Sequence, residues 1–472
     1  MGSVQTSTRP QTSISAGDLN ALGARIQGTI LTADSPGYDA ARTLWNAMID
    51  RRPAAIVQCA TANDVVQAVR FGADRNLLVA VRGGGHNIAG NASCDDGLVI
   101  DLSPMKAVRV DPSNRTARVE AGATLSHVDR ETQKFGLATP LGINSTTGVA
   151  GLTLGGGFGW LSRRFGLTID NLLSADVVTA DGRRITASES ENPDLFWAIR
   201  GGGGNFGVVT SFEFRVHPVG PQVFAGLIVH PVVAARDVLA FHREYMRRAP
   251  DELVCWFVMR QAPPLPTVPV EFHGKEILAL AVCCSGTLEE GERLVKPLRD
   301  FGRPVADMVG PQQYSEWQTV LDPLLTPGMR NYWKSNEFVE VTDGLIDVLV
   351  DYAMRLPDPQ CEIAFAQLGR AVGRVPSDAT AYGHRDAQYV MNVHGRWADP
   401  AKDQQCIAWA RDLFNATTPH ATGSVYVNFM TEDERDRVKA AYGNNYGRLA
   451  ALKKKYDPKN LFRMNHNIQP AA

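Results

Sequence analysis

Apolar residues fall in short blocks along the first half of the chain, and their period alternates between that of a strand and that of a helix. Residues 54–60 form one apolar run of strand length. Residues 62–76 then set Val65, Val66, Val69 and Phe71 at helical spacing, which predicts a helix. Residues 97–102 read as a strand, and residues 108–121 alternate as a hairpin about Pro112-Ser113-Asn114. Thr124 is placed to cap a helix that runs to Lys134 and ends at Gly136. Residues 177–180 and 184–186 flank Asp181-Gly182, a strong two-residue hairpin signal. A further strand covers 207–216, and residues 218–221 mark a boundary with prolines at either end.

Beyond Pro221 the blocks lengthen. Apolar strands at 223–229, 253–259 and 277–284 alternate with helical runs at 232–248 and 288–301. Period alone leaves open whether their sheet is parallel or antiparallel. Residues 263–269 hold too many prolines for regular structure and predict a surface loop. Two later strands carry polar faces. At 387–394, Gln388, Asn392 and His394 share one face; at 425–429, Tyr426 and Asn428 do. A loose serine- and threonine-rich tail opens the chain, followed by a helix from Asp18.

Composition narrows the function. The 472 residues, 44% of them hydrophobic, supply two or three domains' worth of material. Lysine plus arginine number 48 against 50 aspartate plus glutamate, so nucleic acid and anionic membranes are not expected partners. No run approaches the ~18 apolar residues of a membrane span. The N-terminus lacks the apolar core of a secretory signal. The seven cysteines lack metal-ligand spacing, so no metal site is expected. They read as reduced, buried thiols, which points to the cytoplasm. Oligomeric state is not legible.

The chemistry centres on Val81-Arg82-Gly83-Gly84-Gly85-His86-Asn87, a triple-glycine turn after an apolar run, with a histidine at its lip. Glycines leave main-chain amides free to converge on an anion. Further clusters follow at Gly155-Gly156-Gly157 and Gly201-Gly202-Gly203-Gly204. The turn at Gly83–His86 does not fit the G-x-G-x-x-G dinucleotide fingerprint, and the G-x-x-x-x-G-K-S/T of a P-loop is absent.

These stretches resemble the FAD-binding (PCMH-type) domain of the vanillyl-alcohol-oxidase superfamily, in its berberine-bridge-enzyme-like branch. The matching residues include Arg82–Asn87, Gly148-Val149-Ala150-Gly151, Gly155–Gly159, Gly166-Leu167-Thr168-Ile169-Asp170-Asn171 and Asn205-Phe206-Gly207-Val208-Val209. Near the C-terminus, Asn465-His466-Asn467-Ile468 matches too. Arg42-Thr43-Leu44-Trp45-Asn46 and Asp50-Arg51-Arg52-Pro53 resemble bacterial natural-product oxidases of the enterocin-favorskiase kind. The resemblance implies an α+β fold: an FAD-binding domain at 36–220 after an N-terminal tail and helix at 1–35, and an inserted substrate domain at 221–430. That insert is implied to be an antiparallel sheet flanked by helices, and 431–472 to return to the first domain.

It also implies roles. The amides of Gly83–Gly85 and those around Gly148 and Gly151 would meet the FAD diphosphate, which cannot be buried without donors. Arg82, Asn87, Gly155, Asn205, Gly207, Val208, Val209, Asn465 and Asn467 match further cofactor-binding positions. His86 matches the covalent anchor for the flavin 8α-methyl. Asn144 stands where many relatives carry a second, cysteine anchor, so a single covalent link is expected. Thr147 matches the position that admits dioxygen. Tyr426 matches the cavity tyrosine and is the expected proton acceptor, with Asn428 and Gln388 fixing the substrate. A tyrosine base needs its pKa lowered, and His384, Arg385 or His394 are the available cations. The implied activity is hydride transfer from a small aromatic, polyketide or alkaloid metabolite to FAD, then to dioxygen, giving hydrogen peroxide. Alternatives are a carbohydrate oxidase, a dehydrogenase with another acceptor, or a flavin-binding protein whose catalysis has lapsed.

Overall fold

A computed structural model describes residues 14–264, 266 and 268–472. The tail expected at the start lies largely outside the described residues. Its helix spans Ala16–Gly23, because Ser15 caps it through the amide of Asp18 at 3.1 Å.

The first half carries two main sheets, besides a two-stranded one pairing Leu137–Ala138 with His217–Pro218. Strands Ala55–Gln58, Leu98–Asp101 and Val79–Arg82 run parallel, with Thr29–Leu31 antiparallel at the edge. Helix Ala62–Asp74 makes the crossover, capped reciprocally by Thr61 and Asp64. Its apolar stripe is the predicted one: Val65, Val66, Val69 and Phe71 are all buried. The second sheet is antiparallel, ordered Val108–Asp111, Thr116–Glu120, Val208–Arg215, Leu172–Val178, Arg184–Ser188. Both hairpins form as predicted. One core, including Val69, Leu98, Val177 and Phe212, joins the helix to both sheets.

The third sheet is antiparallel throughout, as the resemblance implied and the period left open. Its main strands are ordered Gln222–Pro231, Glu276–Cys284, Leu253–Gln261, Glu362–Gln367, Tyr389–Trp397, Arg330–Phe338. Helices Ala235–Arg248, Asp343–Ala353 and Asp403–Thr417 cover one face, where Leu239, Leu345 and Leu413 pack with Phe257, Phe365 and Met391. Because side chains alternate, Trp256, Val258 and Arg260 turn to the opposite face, which borders the large cavity described below.

Two expectations need correction. Residues 425–429 are not a strand: Tyr426 is extended, and Val427–Phe429 is a 3₁₀ turn. The proline-rich loop is only partly a surface feature. Pro264 and Pro266 are exposed, but Val268 is buried and Pro263 lies on the cavity wall.

The C-terminal segment folds back onto the glycine-rich turn near Asn205. The ammonium of Lys453, fully buried on helix Tyr446–Tyr456, donates to the carbonyls of Asn205 (2.8 Å) and Phe462 (2.9 Å) and pairs with Asp457 at 2.7 Å. All seven cysteines are buried and unpaired in disulfides, consistent with the expected thiols. Among the described residues no helix is long and apolar enough to cross a membrane, and no cluster of metal-ligating side chains occurs.

Candidate active site

One cavity, with about 2690 Å³ of empty space including its mouth, runs between the glycine turns and the open face of the third sheet. Gly83, Gly84, Gly85, His86 and Asn87 form part of its wall, with Asn144, Thr147, Gly148 and Gly151 beside them. The close approach of these loops requires glycine: a Cβ on Gly84 would lie 2.3 Å from the Gly148 nitrogen. Gly85 adopts φ +70°, which places His86 at the lip.

Two neighbours, Trp45 and Thr146, hold His86. Its ring stacks on Trp45, with centroids 5.1 Å apart. Nε2 lies 2.9 Å from Thr146 Oγ1, and that hydroxyl donates to Asn144 Oδ1 at 2.7 Å. The Thr146 proton is therefore committed to Asn144, and its oxygen accepts from His86 Nε2–H. This fixes one tautomer, with the Nδ1 lone pair free. Burial pulls the imidazole down to about pKa 4, so it is neutral near pH 7. Asn144 thus orients His86 through Thr146.

Asn205, Gly207, Val208, Val209 and Asn465 also border the cavity. Asn205 spends its own side chain on the C-terminal segment, donating to His466 O and accepting from the Ile468 amide at 2.9 Å. Four expected contacts are not brought together here. Arg82 turns away and donates to the Ala41 carbonyl. Gly155 lies behind the wall, kept small by Asn428, whose Oδ1 would meet a Cβ at 2.2 Å. Asn467 is absent from the lining, and His466, one residue earlier, takes its place. Gln388 has the cavity-facing parity of its strand but sits beyond the rim, donating to Asp386 O at 3.2 Å.

Tyr426 and Asn428 do meet, though not as neighbours on a strand. The 3₁₀ turn curls Asn428 back so that Nδ2 donates to the Tyr426 hydroxyl at 2.9 Å, and the Gly157 amide donates to it at 3.0 Å. Both donors favour a phenolate, but burial outweighs them and pushes the phenol up to about pKa 12. The expected cations are engaged elsewhere. His384 bonds the carbonyls of Ala440 and Ala441, Arg385 forms a two-pronged pair with Asp170, and His394 lies between Glu362 and Asn331.

Sequence reading missed much of the cavity's aromatic lining. Phe158, Trp160 and Trp256 form an aromatic cluster there, and Trp333 bridges Trp45, His394 and Phe429. Arg260 and Glu362 add an ion pair at 2.8 Å. The strand expected at 253–259 extends to Gln261, so alternation sets Trp256 and Arg260 on one face, and nothing local in the sequence shows what that face borders.

The residues fit FAD. Asn465 Oδ1 and His466 Nε2 belong to cavity-lining residues, and both are buried without a protein partner. Such groups are costly to leave unpaired, and a bound polar molecule would satisfy them. The glycine amides suit a diphosphate, and His86 presents a neutral nucleophile.

Comparison with known proteins agrees. An FAD binding domain matches residues 53–188, and the "Berberine and berberine like" family matches residues 425–469. The chain belongs to the berberine-bridge-enzyme-like FAD-linked oxidoreductases. An FAD-linked oxidoreductase of Dictyostelium discoideum is 32% identical, over 96% of this chain and 97% of that protein. The (R)-6-hydroxynicotine oxidase of Paenarthrobacter nicotinovorans is also 32% identical, over 94% and 97%. The crystal structure of 6-hydroxy-D-nicotine oxidase from Arthrobacter nicotinovorans superposes with TM-score 0.86 at 30% identity, covering 94% of this chain and 98% of that one. These, and not the enterocin favorskiase suggested by residues 42–53, are the named proteins it is shown to resemble. Its cofactor is FAD, and it is an FAD-linked oxidase of this family.

Proposed function

We propose that this protein oxidises a small aromatic metabolite with FAD joined covalently to His86 alone, and passes the electrons to dioxygen to give hydrogen peroxide. The observation that carries the reading is the cavity itself: a neutral His86 shares its lining with Trp256, Trp333, Phe158 and Tyr426. When bound, FAD supplies the hydride acceptor. The aromatic wall excludes water and holds a flat substrate by ring contacts. Tyr426 stands at the wall to take the proton that hydride loss releases, and Asn428 holds its hydroxyl. The 6-hydroxynicotine oxidases, named for an aromatic alkaloid derivative, support an aromatic substrate over a sugar.

Anaerobic addition of an aromatic metabolite panel tests the function. One member should bleach the flavin absorbance, and air should restore it with stoichiometric peroxide. A flavin that dithionite reduces but no organic substrate bleaches would point to the lapsed flavin-binding protein. Bleaching by sugars alone would point to the carbohydrate oxidase.

Thr147 is assigned the oxygen gate. Its backbone is fixed, its amide donating to Asn144 O and its carbonyl accepting from the Leu125 amide, while the residue borders the cavity. Thr147→Leu adds bulk there and is expected to slow reoxidation of reduced flavin about tenfold or more, with substrate-driven reduction changed much less. Stopped-flow mixing of reduced enzyme with oxygen reads this. Equal reoxidation rates in both proteins would remove Thr147 from the gate.

A further inference from the structure

We infer that Arg260 is a specificity-determining residue that receives an acidic oxygen of the substrate, a phenolate, enolate or carboxylate carried on an aromatic body. The inference rests on the aromatic reading above. Register carries it. Arg260 pairs across the sheet with Glu362, Glu362 with His394, and His394 with Trp333. These four residues therefore form one transverse row over four adjacent strands, and all four border the cavity. In the next row Ala279 and Ala364 flank Val258, and the uncharged Asn392 follows beyond Ala364. The sheet thus offers an apolar stretch for rings, with its cavity-lining charges confined to one row.

The charges around that row do not cancel. Glu362 is buried yet ionised, held by Arg260 at 2.8 Å and His394 at 3.1 Å. Arg260 and Glu362 balance, but Arg396 lies two residues beyond His394 on the same strand, buried, and its guanidinium sits 5.4 Å from the Trp45 ring centre. The three sum to one positive charge. Arg260 uses Nη1 on Glu362 and Nε on the Gln261 carbonyl, and its Nη2 has no hydrogen-bond partner among the described residues. A buried cluster with an excess cation and a spare donor on a cavity wall is completed by an anionic oxygen, not by a neutral ring.

Matched ligands test this on the holoprotein. Binding of 2-naphthoate and of its neutral analogue 2-naphthamide is read from the perturbation of the flavin spectrum. Naphthoate should bind about tenfold tighter, the size of one charge-assisted contact. Arg260→Gln should abolish that preference by weakening naphthoate and sparing naphthamide, and Arg260→Lys should restore part of it. Glu362→Gln removes the competing carboxylate and should widen the preference, the opposite direction from Arg260→Gln. If Arg260→Gln gives no holoprotein, Glu362→Gln decides alone, and an unchanged preference there overturns the inference. Equal binding of the two ligands by the unmutated protein also overturns it, while leaving an aromatic slot intact. Binding of neither overturns the aromatic reading, and this inference with it.

Discussion

Tyr426→Phe is expected to slow substrate-driven flavin reduction by about 10²–10⁴-fold, the usual cost of losing a general base. The substitution keeps the ring that packs against Phe158 and Phe429 and removes only the hydroxyl, so fold and flavin content should be unchanged. The pH profile gives a second, independent reading. Burial pushes the Tyr426 phenol up to about pKa 12, so near neutrality it is almost wholly protonated. A step that needs the phenolate therefore accelerates as pH rises toward about 12, roughly tenfold per unit. The phenylalanine variant should lose that limb. A near-normal reduction rate in Tyr426→Phe would give the role to another base. His394 lies on the cavity wall, whereas Asp386 is exposed and outside it, so His394 would be the one to substitute next.

The second large effect concerns attachment. His86→Ala should abolish covalent flavin, and FAD should wash free once the protein is denatured. The hydrogen-bond relay predicts a graded partner to this result. Thr146→Val removes the hydroxyl that accepts from His86 Nε2–H, so the tautomer preference weakens and attachment should proceed more slowly to the same end point. Substituting any of the seven cysteines should leave attachment intact, since Asn144 occupies the second anchor's position. Fluorescence of acid-precipitated protein after incubation of apoprotein with FAD follows all three. Undiminished covalent flavin in His86→Ala would remove His86 as the anchor.

How much of this was legible in the sequence depends on how local each cause is. The crossover helix at Ala62–Asp74 and the hairpin at Asp181-Gly182 were readable because period and turn chemistry act within a few residues. The glycine turn and His86 were readable because close backbone approach leaves a composition signature. Tyr426 and Asn428 were paired for a wrong local reason: period two implied a shared strand face, while a 3₁₀ turn makes the contact. Arg82, Gly155, Gln388 and Asn467 sit in or beside motif blocks, but sequence does not say which way a side chain turns at the end of a strand or loop. The alignment of Arg260, Glu362, His394 and Trp333 in one row was not legible, although His394 stood out on a polar strand face, because these residues are up to 134 positions apart in sequence, from Arg260 to His394, and meet only through register. Antiparallel order in the third sheet came from the family pattern and not from hydrophobic period.

The most direct test of the central claim is the mass of the peptide carrying His86 from acid-denatured, unmutated holoprotein. A covalent link through the 8α carbon forms a C–N bond with net loss of two hydrogens, which dioxygen takes up as hydrogen peroxide. The peptide should therefore gain the mass of FAD less two hydrogens, with fragmentation placing the addition on His86 and on no cysteine. An unmodified His86 peptide, with all the FAD recovered in the supernatant, would contradict the account.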